Sequence, residues 1–209
     1  MRSVLVLQES VAAGAADGYY RMSGKPASTL LHLGPGLANG VSNLHNAKKA
    51  GSGVVNIVGE HASTHIALDA PLTSDIEGIA RPVSHWVRTT TGAPTVGKDA
   101  AEAVQAARVA PGQVATLVLP SDTAWDEGGV THAALEPATP APFDSGMLAD
   151  AAEALDGPEC LLLLGGAALS ESNLEMAGRI AAKTGCHLLS EWSHARLERG
   201  AGRVAVGRV

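Results

Sequence analysis

The sequence is poor in the residues that define several classes of protein. Aromatic residues make up only 3% of its 209 residues, so a core would be built mainly from alanine, valine and leucine. Cysteine occurs only at Cys160 and Cys186, which lack metal-ligand spacing and suit a reducing cytoplasm better than a disulfide framework. No apolar run approaches the roughly 20 residues of a membrane span, and the N-terminus lacks a signal-peptide pattern.

Clustered positive charge is also lacking. The formal net charge is -6, and no run of lysine and arginine occurs anywhere in the chain. Proteins that bind nucleic acid need a basic face on which to collect phosphates. We therefore predict a cytoplasmic protein that binds neither nucleic acid nor a membrane.

Short strand-like runs instead alternate with helix-like segments. The strand-like runs cover residues 4–7, 27–31, 54–58 and 114–119, and the helix-like segments cover 11–22, 37–49, 76–80 and 99–110. This alternation is typical of an α/β domain with a mostly parallel sheet covered by helices on both faces.

A linker is predicted where periodicity fades and prolines cluster. Pro137, Pro140 and Pro142 fall in residues 123–143, between a first domain at 1–122 and a second unit at 144–209. The pattern of the second unit predicts a helix at 147–155, a buried strand at 160–164, a helix at 169–184 and a strand at 187–189. We expect it to be the beginning of a Rossmann-like α/β domain.

The strongest functional signal lies between residues 9 and 39. Glu9 stands where the first apolar run passes into a helix-like segment rich in alanine. The next strand runs into His32, then Gly34-Pro35-Gly36, with Asn39 three residues further on. Ligands of open α/β sheets collect at the carboxyl ends of the strands, and a helix N-terminus favours an anion there. Both turns are predicted to lie on that edge.

This pattern resembles the pyrimidine-binding domain of thiamine-diphosphate-dependent enzymes, the group of acetolactate synthase, pyruvate oxidase and benzoylformate decarboxylase. The matching residues are Glu9, Ala12, Ala16-Asp17-Gly18-Tyr19, Gly24-Lys25 and Gly34-Pro35-Gly36 with Asn39. The resemblance implies that Glu9 binds a ring nitrogen of the cofactor aminopyrimidine and so activates the cofactor. A carboxyl group can share a proton with such a nitrogen, whereas a glutamine could not.

The same resemblance assigns further roles around Glu9. It implies that Gly34, Pro35 and Gly36 admit the cofactor closely and that Asn39 supports the turn. His32 resembles the active-site histidine of benzoylformate decarboxylase, whereas the Gly-Pro-Gly turn is closer to that of acetolactate synthase. His32 is therefore a candidate for proton transfer, with a single backbone hydrogen bond as the alternative role.

The resemblance also implies what these residues do not supply. In the family a third domain binds Mg²⁺ and the diphosphate through a GDG…N motif, which this sequence lacks, and a helix and strand precede the glutamate. We therefore expect a truncated part of a 2-oxo acid decarboxylase or carboligase that is inactive alone, its parent being a homodimer or tetramer. FAD is not expected, because no G-x-G-x-x-G follows the second unit's first strand and no acidic ribose ligand can be placed.

Several alternatives remain open. A non-catalytic interaction module could keep the dimer-facing surface and bind no cofactor. His61 and His65 are four residues apart, which on a helix could pair on a metal, but their surroundings predict a loop and no third ligand is evident. We predict no metal site here, and we predict that His85 and Trp86 are packing residues of a helix.

Overall fold

The computed structural model describes residues 2–137, 141–192 and 196–209, which form two compact units, Met1–Pro137 and Ala138–Val209. The unit boundary falls inside the predicted linker, part of which, residues 138–140, lies outside the described residues. The first unit contains helices α1 (Glu9–Ser23), α2 (Leu33–Ala50), α3 (Ile76–Ala80), α4 (Val96–Ala107) and α5 (Ser121–Trp125). Its strands are β1 (Ala27–His32), β2 (Val54–Glu60), β3 (Trp86–Thr89) and β4 (Val114–Pro120).

The first unit is built on a parallel sheet in the order β1-β2-β4-β3. On one face, apolar side chains of the sheet pack against α1, α2 and α3; the buried members include Leu31, Leu37, Leu44, Val54 and Val58. On the other face, Val55, Ala115 and Leu117 pack against Ala103 and Ala107 of α4. The predicted α/β fold, a parallel sheet flanked by helices, is confirmed.

A polar ladder crosses the middle of this sheet. Thr29, Asn56 and Thr116 stand in register on β1, β2 and β4. Thr29 Oγ1 donates to Asn56 Oδ1 at 2.7 Å, and Asn56 Nδ2 donates to Thr116 Oγ1 at 3.1 Å. The Thr116 hydroxyl also bonds the Ser84 hydroxyl at 2.7 Å. Because these side chains are buried, a shift of one strand would leave several polar groups without partners.

The second unit contains helices α6 (Ser145–Ala154) and α7 (Glu171–Thr184) and strands β5 (Leu161–Leu164), β6 (His187–Ser190) and β7 (Gly207–Arg208). The strands pair in parallel in the order β5-β6-β7. Leu164, Leu174 and Leu188 belong to its core. Residues 160–164 were predicted to form a buried strand, but Leu161 and Leu163 are 50% and 58% exposed.

Three local predictions of the sequence analysis are wrong. Residues 4–7 form no strand and are mostly exposed, because none of the described strands pairs with them. Gly34-Pro35-Gly36 forms the first turn of α2 instead of a loop before it, so α2 begins four residues earlier than predicted. His85 and Trp86 lie at the start of β3, not in a helix, since β3 pairs with β4.

The predicted linker is partly ordered against the first unit. Thr123 belongs to α5, and further along Gln105 Nε2 of α4 donates to the Glu136 carbonyl at 2.6 Å. Arg108 of the same region forms an ion pair with the Glu136 carboxylate at 3.0 Å. These contacts hold the chain along α4 up to the unit boundary. No helix in the described ranges is both long and apolar enough to span a bilayer.

Candidate functional site

Glu9 is the first residue of α1. The helix starts here because the side chain of Gln8 caps it, accepting a hydrogen bond from the Ser10 N–H at 2.7 Å. Glu9 is thereby fixed at the helix N-terminus, where the partial positive charge of the helix favours its carboxylate. The side chain is partly buried.

Small residues let α1 approach α2 closely. A Cβ at Gly40 would lie 3.8 Å from the Glu9 carbonyl oxygen and 3.9 Å from Ala13 Cβ. A Cβ at Gly14 would lie 3.0 Å from Asn43 Nδ2, a distance at which the asparagine would have to move. The glycines and alanines that mark this segment of the sequence therefore bring the first turn of α1 against the first two turns of α2.

Two asparagines of α2 use this approach to hold the start of α1. Asn39 Nδ2 donates to Glu9 Oε2 at 3.1 Å, and Asn43 Nδ2 donates to the Ser10 carbonyl at 2.7 Å. Asn39 and Asn43 are four residues apart and so lie on one face of the helix. Asn39, which the resemblance implied to support the turn, donates a hydrogen bond to the carboxylate of Glu9 instead.

The second carboxylate oxygen of Glu9 lies near Gly36. A Cβ at Gly36 would lie 3.7 Å from Glu9 Oε1 and 3.5 Å from His32 Cβ. His32 is the last residue of β1; its side chain is exposed and makes no capping hydrogen bond to α2. The structure therefore brings Glu9, His32, Gly36 and Asn39 together around one space.

Gly34 and Pro35 have a different place in this turn. The Cβ that Gly34 lacks would overlap the Ser74 side chain, so Gly34 lets the segment before α3 close over the start of α2. Pro35 is exposed and lies in the first helical turn, where its missing N–H costs no hydrogen bond. Neither residue faces Glu9 as Gly36 does.

Sequence reasoning missed further polar residues of the first unit. Glu60, at the carboxyl end of β2, is only 8% exposed. In the described part of the chain, His61 Nε2 and Thr73 Oγ1 are the two buried side-chain atoms without a hydrogen-bond partner. The spacing of His61 and His65 suggested only a metal pair, and no local pattern marked Glu60 or Thr73.

A carboxylate links the loop after β2 to the end of β4. Asp122 Oδ1 accepts the Ser63 N–H at 2.9 Å, and Asp122 Oδ2 accepts the Ser63 hydroxyl at 2.6 Å. The hydroxyl and the N–H of Ser63 hold the pKa of Asp122 below its usual value. This contact fixes the loop that carries His61.

The remaining histidines do not gather at the site. His61 and His65 lie in a loop, and the described residues contain no group of three or more His, Cys, Asp or Glu side chains that could hold a metal. His85 Nδ1 accepts the Val114 N–H at 3.1 Å, and burial, followed by the nearby charge of Lys48, lowers the pKa of His85. His85 is thus a neutral structural acceptor.

The second unit also places a glycine turn at the carboxyl end of its first strand. Glu191 follows β6, and its N–H donates to the Leu164 carbonyl at 3.1 Å. A Cβ at Gly165 would lie 2.9 Å from Glu191 Oε1, so the glutamate side chain lies over this turn. An acidic residue therefore stands beside Gly165 where the sequence analysis could place none.

Known proteins resemble part or all of this chain. Residues 1–79 match the family model described as the thiamine pyrophosphate enzyme, N-terminal TPP binding domain. The full chain aligns with 40% of the length of a candidate acetolactate synthase large subunit, IlvX, of Mycobacterium tuberculosis. The identity over this alignment is 47%. A further alignment joins 64% of the chain to 26% of the length of benzoylformate decarboxylase from Pseudomonas aeruginosa. The identity there is 31%.

A solved structure extends the likeness to the fold. A protein of Mycobacterium smegmatis described as a thiamin diphosphate-dependent enzyme superposes with a TM-score of 0.81 at 26% identity, over 90% of this chain and 37% of the other. The chain thus spans less than half the length of these relatives. The chain is similar to the thiamine-diphosphate-dependent enzymes, and its first 79 residues match the N-terminal TPP binding domain of that family. The relatives that it resembles include an acetolactate-synthase-like chain.

Proposed function

We propose that this chain binds the aminopyrimidine end of thiamine diphosphate and supplies Glu9 as the group that exchanges a proton with the pyrimidine ring nitrogen. The observation that carries the proposal is the arrangement of the Glu9 carboxylate. Asn39 holds one oxygen at 3.1 Å, while the other borders the space left by Gly36. One oxygen is fixed and the other is available to a ligand.

The identity of the residue that holds Glu9 supports this role. An amide side chain fixes the carboxylate through a neutral hydrogen bond. A lysine or arginine would favour the charged carboxylate more strongly and so oppose its taking up a proton. Among the described residues, no basic side chain forms an ion pair with Glu9. Asn39 thus orients Glu9 through a neutral hydrogen bond.

The proposal also assigns a place to the residues around the Glu9 carboxylate. Gly36 would let a flat ring approach Glu9 Oε1, because a Cβ at this position would lie 3.7 Å from that oxygen. His32, exposed at the end of β1, would move protons to and from the substrate, since an imidazole exchanges protons near neutral pH. Gly34 and Pro35 shape the turn that carries Gly36.

The residues present fit the pyrimidine end of the cofactor. When bound, the cofactor supplies a thiazolium carbon that serves as nucleophile and electron sink for cleavage of a 2-oxo acid. The described residues contain no cluster of metal ligands, so we place Mg²⁺ and the diphosphate on the family's C-terminal domain, held by the neighbouring subunit of a homodimer or tetramer. The substrate class would be 2-oxo acids, with decarboxylation or carboligation as the reaction.

A second candidate is a non-catalytic interaction module, which one observation favours. Val11, Tyr19 and Met22 lie exposed on the outer side of α1, 53%, 52% and 69% accessible. Their spacing puts them on one helical face, as at a protein contact. Such a module would retain this face and bind no cofactor, whereas the enzyme proposal requires both.

Calorimetric titration with thiamine diphosphate and Mg²⁺, and with thiamine alone, separates the two candidates. We expect saturable binding that Glu9→Gln weakens at least tenfold, since glutamine cannot share a proton with the ring nitrogen. The matched control is Glu127→Gln, because Glu127 is exposed and lies outside the helices and strands. Absence of binding both to the unsubstituted chain and to a chain that also carries the family's C-terminal domain, with the fold intact by circular dichroism, would favour the interaction module.

A kinetic measurement then tests the role of Glu9 itself. Exchange of the cofactor C2 proton with deuterated solvent, followed by NMR, should be faster with the protein than in free solution. Glu9→Gln should remove at least 10²-fold of that acceleration, in the range typical of a lost general acid or base. Equal exchange rates in the two proteins would remove Glu9 from the proposed role while leaving binding unexplained.

A further inference from the structure

The two cysteines of the chain meet in the second unit, where β5 and β6 begin. These strands are parallel neighbours, and their register pairs Leu161 with His187. Cys160 and Cys186 directly precede this pair, and the His187 N–H donates to the Cys160 carbonyl at 2.8 Å. Because neighbouring strands lie roughly 4.8 Å apart, the two cysteines stand side by side, although α7 separates them in the sequence.

The two cysteine side chains also share one face of the sheet. Side chains alternate between the faces along a strand, and residues in register on neighbouring parallel strands point to the same face. The inward-facing positions include Leu162 and Leu164 on β5 and Leu188 on β6. Cys160 and Cys186 continue these two rows at the next alternate positions. Accordingly, Cys186 belongs to the core of this unit and Cys160 packs against that core.

Backbone contacts hold together the turns that carry the cysteines. The Gly157 N–H donates to the Thr184 carbonyl at 2.9 Å, and the Cys186 N–H donates to Thr184 Oγ1 at 3.2 Å. A Cβ at Gly185 would lie 3.8 Å from the carbonyl carbon of Gly157. The turn after α6 therefore lies against the turn after α7, and the two cysteines are kept at a fixed separation.

This separation suits a disulfide, and the two thiols differ in access. The Cα atoms of disulfide-bonded cysteines are usually about 4.4–6.8 Å apart, a range that includes the spacing of neighbouring strands. Cys186 is only 5% exposed, whereas Cys160 is partly exposed. Cys160 Sγ donates to the Ala154 carbonyl at 3.0 Å, a weak bond that oxidation would give up. A reagent in solution therefore meets the Cys160 thiol first.

We infer that Cys160 and Cys186 form a reversible disulfide within one chain when the protein meets a low-molecular-weight disulfide. The Cys160 thiolate attacks one sulfur of the oxidant, whose S–S bond breaks, and one thiol leaves with the proton that Cys160 gave up. The Cys186 thiolate then attacks Cys160 Sγ, the mixed disulfide breaks, and the second thiol leaves with the Cys186 proton. Two electrons pass from the protein to the oxidant. Transient disulfides of this kind occur in reducing compartments, where structural ones are rare.

The bond would close a ring that contains β5 and α7. Its ends lie at the start of β5 and the start of β6, in the unit whose Leu161 and Leu163 are half exposed. A ring of this kind stabilises a fold mainly by restricting the unfolded chain. Oxidation should therefore raise the unfolding temperature of the second unit by about 5 °C or more.

Oxidised glutathione added to the reduced full chain tests the inference. We expect both thiols to disappear together, the mass to fall by two hydrogen atoms, and peptide mapping without reductant to join the two cysteine peptides. Excess reduced glutathione should restore both thiols. In Cys186→Ser a glutathione adduct should persist on Cys160, and in Cys160→Ser the buried Cys186 should react at least tenfold more slowly than that. The amide resonances of α7, followed on heating, report the unfolding temperature.

A displaced thiol provides the matched control. The double variant Cys160→Ser, Leu161→Cys keeps two thiols but moves one of them to the exposed face, away from Cys186. Circular dichroism verifies its fold, which should persist because Leu161 is half exposed. This variant should take up glutathione and form no disulfide within the chain.

Four results would overturn the inference. They are a lasting glutathione adduct on the unsubstituted chain, a disulfide between two chains, retention of both thiols under conditions in which the displaced thiol reacts, and an equally ready disulfide in the double variant. An oxidised chain whose second unit unfolds no later than the reduced one would also overturn it, because the bond would then form at the expense of the fold.

Discussion

Two glycine turns follow parallel strands in this molecule, one in each unit, and they differ in what occupies the space beside the glycine. At Gly36 of the first unit, the neighbouring carboxylate of Glu9 is bonded to Asn39, and a Cβ at Gly36 would meet Glu9 Oε1 only in ordinary contact at 3.7 Å. At Gly165 of the second unit, the carboxylate of Glu191 lies over the turn itself. A glycine after a strand therefore marks a close approach, and only the surrounding contacts show whether a ligand or the protein makes that approach.

The two units also differ in how completely their sheets are buried. The sheet of the first unit is buried on both faces, while Leu161 and Leu163 of the second unit remain half exposed on β5. A site that depends on the placement of a carboxylate oxygen needs a rigid scaffold. The first unit supplies that scaffold within its own residues.

The largest expected effect tests the difference between the cores. Leu44→Ala removes a side chain with no solvent exposure in the first unit and should lower the free energy of unfolding by about 2–5 kcal/mol. Leu163→Ala in the second unit, where that leucine is 58% exposed, should cost well under half of this. Urea titrations of both variants measure the two values, and equal losses would contradict the comparison.

The next effect concerns the polar ladder of the first unit. Asn56→Ala leaves the hydroxyls of Thr29 and Thr116 without their amide partner and should destabilise the unit by about 1–3 kcal/mol. Asn46→Ala on the exposed side of α2 is the matched control, since its hydrogen bond to Asn43 is solvent-exposed. A small effect of Asn56→Ala in urea unfolding would mean that water replaces the lost amide.

The two glycine turns can be compared directly by adding one methyl group to each. Gly36→Ala should keep the fold, since its Cβ would make ordinary contacts of 3.5 Å, yet weaken thiamine diphosphate binding at least tenfold by filling the space beside Glu9 Oε1. Gly165→Ala should displace the Glu191 side chain at small cost and leave that binding unchanged. Calorimetry on both variants measures this, and weaker binding in Gly165→Ala alone would reverse the assignment.

The smallest effect is a pH dependence confined to the first unit. Because hydrogen bonds from Ser63 hold the folded-state pKa of Asp122 below its unfolded value, the contact stabilises the protein above the unfolded pKa. That stabilisation should be lost as the pH falls through the lower, folded-state pKa. The pH dependence of the Ser63 amide resonance should show the loss, and Ser63→Ala, which removes the hydroxyl but keeps the N–H, should reduce this contribution in acid unfolding.

The sequence predicts the parts of the fold that depend on local pattern. The strands β1, β2 and β4 alternate or concentrate β-branched residues, and α3 is recognisable from its flanking residues, so their existence and order follow from periodicity. β3 was missed because Trp86–Thr89 has no buried residue and exists as a strand only through its pairing with β4. Such pairing is a tertiary property.

The candidate site, too, could be predicted only in part from the sequence. Glu9 and Asn39 could be named from their motif, since Glu9 begins a helix and Asn39 follows the Gly-Pro-Gly turn at a fixed distance. Their hydrogen bond could not be derived, because it depends on how closely α1 approaches α2. Glu60 and Thr73 lie outside any motif, and only the burial of Glu60 and the unpartnered hydroxyl of Thr73 identify them.

The ladder of Thr29, Asn56 and Thr116 has a consequence beyond stability. It fixes the height of three neighbouring strands relative to one another, and hence the level at which each strand ends. Slippage of β2 by a single position would turn Glu60 to the opposite face and carry it away from the beginning of α2. Interlocked polar side chains in the middle of the sheet thus determine which groups the far rim can present to a small molecule.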